Sequence, residues 1–368
     1  MKKVTRFIGA ICMMALLTFV STSCKKDQDT AGMDAFTAEV ETLGVDGERA
    51  YINPDNFKFY WNEEDFVRVF NLATKADEST TSVFYKYTPG CTQTAHFRGP
   101  SVGPKNDLGY RLFYPVKMIK YNEEEEPLMA ELENGNRVTF TVATKQDFNT
   151  YTETGHISSV VDPDAMPLAI DPAKLNGPAT LKQMFGVAAI SFKAATGTDV
   201  IVDSVKLVDK TLAITGDVKL KLDRVAITGT DHNLLDVWAP FEAGGWNEAF
   251  VAALTEELDW LDWCPSNQGY SIMMNCCYAK EEGALPTGVK LANTGGNNYT
   301  DFNFMLRPCA LYNGFTVTLY VHDGEPLVYD TDNGDLFYGS DNTPDYTWGI
   351  KRAKIKNFRY PTAVNAED

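Results

Sequence analysis

Apolar and polar residues alternate with a period of two along most of this chain. That is the spacing of strands with one face in a core and the other in water. The alternation predicts strands at Phe36–Glu41, Phe57–Trp61, Phe66–Phe70 and Val83–Tyr87, with an acidic turn at Asn62–Asp65. His96–Arg98 runs into a Gly/Pro loop over 99–109; Tyr110–Pro115 and Val138–Val142 complete this half, and Glu123–Glu126 is expected as a solvated loop. Residues 162–178 carry Pro163, Pro167, Pro172 and Pro178 and little alternation, so a domain boundary is expected there. A second series follows at Phe185–Phe192, Val200–Val208, Leu212–Ile214, Val218–Leu222 and Val225–Ile227, with Gly216 as a break. Tyr270–Tyr278, Phe302–Leu306, Phe315–Tyr320 and Trp348–Tyr360 are further strands. Trp246, Phe250, Leu254, Leu258 and Leu261 recur at helical spacing and predict one amphipathic helix at about 246–262. Many short strands with frequent turns predict an all-β fold of two β-sandwich domains, 35–170 and 171–368, with one helical insertion in the second.

The N-terminus departs from this pattern. Lys2, Lys3 and Arg6 precede an uncharged apolar run, Phe7–Val20, which is the length of a signal-peptide core and too short to span a bilayer. Ser21, Thr22 and Ser23 then lead to Cys24. Small residues ending in a cysteine resemble a bacterial lipoprotein signal, in which the thiol is acylated and becomes the new N-terminus. Ser21 stands where most such signals carry leucine. One acyl chain holds a membrane only weakly, so stable anchoring takes more than one. The resemblance implies removal of 1–23, acylation of Cys24 (palmitate among the chains), a tether over 24–34 and an outer-membrane anchor. The charged stretch Lys25–Asp29 is similar to the surface-export signal of Bacteroidota lipoproteins.

Charge narrows the partners. The 368-residue chain carries 33 basic and 50 acidic residues, a formal charge of −17. Without Lys2, Lys3 and Arg6 the balance is 30 against 50, or −20. This argues against nucleic acid, which is bound through basic patches that displace counterions. It also disfavours binding of the folded body to an anionic membrane surface.

Candidate chemistry is sparse. Cys12 leaves with the signal and Cys24 is the acylation site, which leaves Cys91, Cys264, Cys276, Cys277 and Cys309. No CxxC or Cys/His spacing of a zinc site occurs. Adjacent Cys276 and Cys277 point to opposite faces of a strand and read mainly as small buried residues. There is no GxSxG elbow, HExxH or P-loop. His96, His156, His232 and His322 are scattered. The segment Asp330–Asp335 loosely resembles a calcium loop, but Gly334 stands where an oxygen ligand is needed, so a hairpin loop is expected. Trp61 and Trp348 lie in alternating strands and are expected in the core. No catalytic residue, metal or cofactor is expected, and the chain does not read as an enzyme.

Several segments resemble fimbrillin-like proteins, subunits of type V pili in Bacteroidota. Trp61–Phe70 is similar to that family's early "W…D…V.VF" segment, Tyr114-Pro115 to its "YP" strand end, and Val138–Val142 leading to Gln146 and Phe148 to its "lp..Q.Y" segment. Phe185–Phe192, Val200–Leu207 and Leu212–Gly216 resemble its second-domain opening. Tyr270–Cys276, Asp301–Pro308, Gly314–Gly324 and Ile350–Ile355 resemble its late strands. The pieces run in order over about 35–360; the helix at 246–262 and the extra cysteines depart from the pattern. The resemblance implies two transthyretin-like sandwiches, cleavage after an arginine that removes the first strand, and filling of the groove by a strand of the next subunit. Its partners would be other fimbrial subunits, in homo- or heteropolymers, together with a host or bacterial surface receptor. A glycan-binding surface lipoprotein of a polysaccharide-uptake system is the alternative, and predicts a cluster of exposed aromatic residues.

Two sites follow. Arg49 sits in the hydrophilic stretch Asp46–Arg49 just after the first strand, and is the candidate cleavage point; an ordinary hairpin arginine is the other reading. At the C-terminus, Trp348, Ile350, Ile355, Phe358 and Tyr360 belong to an apolar set interleaved with Lys351, Arg352, Lys354, Lys356 and Arg359. This basic strand is the candidate donor, because opposite charge would speed docking into an acidic neighbour. It would equally serve as the closing strand of its own second sandwich, where basic residues blunt an edge.

Overall fold

The computed structural model describes residues 33–40, 44–45, 59–71, 80–103, 110–127, 129–132, 135–148, 161–170, 177–210, 213–221, 261–277, 287–307, 309–311, 314–331, 349–350, 354–360 and 362–365. Alternation becomes strand almost throughout, arranged as follows. Seven strands close a barrel in the order β1 (Met33–Val40), β11 (Pro178–Gln183), β10 (Leu168–Ile170), β6 (Tyr110–Tyr114), β3 (Phe66–Asn71), β4 (Thr80–Lys86), β5 (Ala95–Pro100). A four-stranded sheet runs β18 (Thr300–Leu306), β12 (Gly186–Phe192), β23 (Lys354–Arg359), β2 (Gly44–Val45). Another runs β21 (Leu327–Thr331), β20 (Phe315–Val321), β13 (Ile201–Asp209), β16 (Ser271–Asn275), β9 (Lys145–Asp147), with β17 (Val289–Lys290) beside β13. A third runs β15 (Leu261–Gly269), β14 (Thr215–Lys221), β8 (Gly135–Val142), β7 (Met129–Leu132). A short pair, β19 (Cys309–Ala310) and β22 (Gly349–Ile350), completes the set.

Two hydrophobic cores organise these sheets. One joins the barrel interior to the inner faces of β8 and β14, through Phe113, Phe140, Val218 and Leu220. The other lies between the sheet of β12 and the sheet of β13, through Phe192, Val205, Phe302, Val317 and Phe358. The strand β12 is buried at every position. Val187 and Ala189 enter the first core, and Ala188, Ile190 and Phe192 the second. The neighbours of β12 behave alike: Met305 of β18 and Ile355 of β23 face the first core, while Phe304 and Phe358 face the second. The sheet β18-β12-β23-β2 is therefore a layer shared by both cores. A buried amide ties this layer to β9: Gln146 Nε2 donates to the Met305 carbonyl and its Oε1 accepts from the Met305 N–H, both at 2.9 Å.

The all-β expectation holds, and several expectations within it are corrected. Of the helix expected at 246–262, residues 246–260 lie outside the described residues, and Leu261 and Asp262 begin β15. Phe59 and Tyr60 form no strand, and Trp61 makes only an isolated bridge to Thr92. Gly99 and Pro100, expected in a loop, close β5. A Cβ at Gly99 would lie 2.5 Å from Phe84 Cδ1 and 2.6 Å from the Val83 carbonyl oxygen, so glycine here permits close strand approach and is no turn signal. Gly216, expected as a break, lies in β14 with φ of 114° beside a register shift, as a bulge requires. The first core also takes Ala179, Leu181, Phe185, Val218 and Leu220. The described residues from Asp34 onward cluster as one compact unit.

Candidate assembly strands

The first strand is held by its inward residues. Along β1, Phe36 and Ala38 point into the barrel core and are 3% and 0% exposed, while Met33 and Glu39 are exposed. The Phe36 ring stacks on Phe97 at 5.4 Å and lies 5.8 Å from Phe84. Phe97 in turn meets Trp61 edge-on at 5.0 Å. Burying one phenylalanine contributes about 1.5–3 kcal/mol. On its backbone side β1 runs parallel to β11, with Thr37 opposite Pro178 and Val40 opposite Leu181. At the other margin Asp34 Oδ2 accepts from the Ser101 hydroxyl at 2.8 Å and the Val102 N–H at 3.2 Å, and Thr37 bonds His96 at 2.9 Å. A few residues on, β2 pairs parallel with β23, Gly44 opposite Lys354 and Val45 opposite Ile355. β1 and β2 thus belong to two different sheets, the closed barrel and the sheet of β23.

The C-terminal strand sits inside its own molecule. β23 lies between β12 and β2, parallel to both, with Val187 opposite Ile355 and Ile190 opposite Phe358. Ile350, Ile355, Phe358 and Tyr360 are all buried. Phe358 meets Phe315 edge-on at 5.1 Å, and Tyr360 stacks on Phe192 at 4.6 Å. The Tyr360 hydroxyl bonds Thr331 Oγ1 at 2.7 Å, and burial pushes its pKa up to about 12. Of the two readings of this strand, the geometry of the single chain is that of a strand completing its own sheet. Cys24, Arg49 and Trp348 lie outside the described residues.

Among the described residues, the titratable groups form no reactive constellation. Cys276 is buried and Cys277 half-buried, just past the end of β16. Burial pushes both thiols up, and Cys277 also donates to Asp203 Oδ1 at 3.4 Å, so neither is an activated nucleophile. Exposed His322 is raised by its 2.9 Å contact with Asp203 and by Asp323. Asp330, next to last in β21, accepts from Thr316 and pairs with Lys210 at 2.9 Å. No group of three metal-ligating side chains occurs among the described residues.

The sequence reading missed one surface feature. On the outer wall of the barrel, Phe66 faces Tyr85 across β3 and β4, and Tyr85 faces Arg98 across β4 and β5. Phe66, Tyr85, Tyr87 and Tyr121 are 38%, 60%, 47% and 40% exposed. The signal lay in positions 66, 68, 85, 87, 96 and 98, which are aromatic or basic where a solvent face in this acidic chain would be polar or acidic.

No family model and no curated protein matches the chain. Among solved structures, the chain has a distant likeness to a fimbrial protein from Bacteroides vulgatus, 10% identical, covering 89% of this chain and 96% of that one at a TM-score of 0.39. The tip fimbrial protein Mfa3 from Porphyromonas gingivalis, with C-terminal truncation, is 9% identical over 90% of this chain and 96% of that one, at 0.32. A fimbrial assembly protein from Parabacteroides distasonis is 9% identical over 89% and 90%, at 0.29.

Proposed function

We propose that this chain is a type V pilus subunit or fimbrillin-like surface adhesin, exported as a lipoprotein through Cys24 and assembled by strand exchange after cleavage at Arg49. The observation that carries this reading is the placement of the segment 33–45. It precedes Arg49, fills the barrel core with Phe36 and Ala38, and pairs with both β11 and β23. Its removal would leave unpaired backbone on β11 and an open aromatic pocket at Phe84 and Phe97, a combination that an added strand satisfies. It would also strip β2 from β23 and turn the candidate donor from a central strand into an edge strand. Cleavage would therefore open an acceptor and loosen a donor in one step. The partners on this reading are further fimbrial subunits, and the site of action is the outer surface.

The test is the mass of the surface protein from the native host. Wild type is expected to begin at Ala50 in assembled material, and Arg49→Ala to retain its N-terminal segment and yield no polymer ladder. An unchanged mature mass and unchanged ladder in Arg49→Ala would defeat the reading.

A further inference from the structure

We propose that the outer wall formed by β3, β4 and β5 binds an anionic glycan, with tyrosine rings taking sugar faces and arginines taking carboxylate or sulfate groups. Charge is the first reason. The chain carries 50 acidic residues, yet β3, β4 and β5 contain no aspartate or glutamate. The second is the state of the two outward arginines. Arg98 has its guanidinium 4.8 Å from the Tyr87 ring centre, and Arg68 has its own 5.5 Å from that of Tyr121. Neither forms an ion pair among the described residues, although Arg68 is partly buried, has Glu126 as a charge neighbour and has its Nε turned inward. Arg98, exposed and held only by the Tyr87 ring, is the one that presents its N–H donors to an incoming anion.

The spacing fits a saccharide better than a protein partner. Phe66, Tyr85 and Arg98 occupy one cross-strand row, which spans two strand separations or roughly 10 Å, about the length of a disaccharide. The rings do not gather into one apolar knob: Phe66 and Tyr85 are tilted by 38°, and a cation borders the remaining tyrosines. A protein hot spot wants a desolvated apolar centre. A sugar ring offers apolar C–H faces rimmed by oxygens, which suits rings alternating with N–H donors. The wall is the outer face of strands whose inner face, at Phe84 and Phe97, packs against Phe36 of β1; it is present in the uncleaved chain, and the inference does not rest on the assembly reading.

Affinity electrophoresis of the full-length chain tests it, in gels containing polygalacturonate, chondroitin sulfate or neutral dextran. Retardation is expected in at least one anionic gel and not in dextran; the two anionic gels separate a carboxylate from a sulfate preference. Tyr85→Ala and Arg98→Ala, both at exposed positions, should each weaken retardation about tenfold without lowering the melting temperature. Arg98→Lys, which keeps charge and loses the fork, should fall between. Absence of retardation in both anionic gels, or retardation that Tyr85→Ala and Arg98→Ala leave unchanged, would overturn the proposal. So would a change of sedimentation in those variants without any glycan retardation, which would make the wall a contact between protein chains.

Discussion

At the scale of single residues, burial pushes the carboxyls of Asp65 and Asp162 up to about 6. Desolvation dominates in each. It is partly offset at Asp65 by the Asn62 N–H and the Tyr114 hydroxyl, and at Asp162 by the N–H groups of Asp147 and Asp164. Both folded values lie above the unfolded one, so between about pH 4 and 6 the folded chain holds protons that the unfolded chain has lost. Stability therefore rises as pH falls through this window and is lower above it. The effect is up to about 3 kcal/mol for buried Asp162, and less for half-exposed Asp65, which water still screens. Raised His322 acts in the same direction from the surface. The melting temperature is expected to rise from about pH 7 to about pH 5, and Asp65→Asn to flatten part of that slope. A melting temperature that falls over this range would contradict the assignment. Core identity was legible here: Trp61 is fully buried, and so is Cys276. The raised acids were not, because Asp65 looks like a solvated turn until Tyr114, 49 positions away, packs over it.

At the scale of the element, β1 shows what alternation can reveal. The pattern of Phe36–Glu41 announced a strand, and Phe36 and Ala38 are its buried positions. Its parallel partner β11 could not be read, because strand pairing over 141 positions leaves no local trace. The same limit hid β5, whose Gly99 and Pro100 carry a turn signal while serving a tight strand approach. Phe36→Ala should cost about 3–5 kcal/mol, whereas Glu39→Ala, at an exposed position, should cost under about 0.5 kcal/mol. A chain beginning at Ala50 should melt lower than the full chain, and a peptide of residues 33–45 in excess should raise its melting temperature. Mass action sets the gain at about 2.7 kcal/mol for peptide at a hundred times its Kd. Should the peptide leave the melting temperature of the shortened chain unchanged, the groove does not accept a strand from outside.

At the scale of the whole molecule, the two cores are joined by a shared layer, and a sandwich count from sequence could not show this. The proline-rich stretch at 162–178 was read as a boundary, and it contains β10, which pairs with β6 and β11 in the barrel. A fully buried strand such as β12 presents a continuous apolar run, and nothing in that run says that its two faces serve different cores. The consequence is thermodynamic. Neither core can lose β12, β18 or β23 without exposing the other, so both should melt together. Val187 faces the first core and Ile190 the second, three positions apart on β12. Val187→Ala and Ile190→Ala each remove buried methyl groups, at a cost of about 1–5 kcal/mol. Calorimetry of the uncleaved chain should show one transition that both substitutions move downward as a unit, with calorimetric and van't Hoff enthalpies in agreement. If two transitions are resolved, one shifted by Val187→Ala alone and the other by Ile190→Ala alone, the cores fold independently. The shared sheet would then carry no coupling between the end that receives a strand and the end that supplies one.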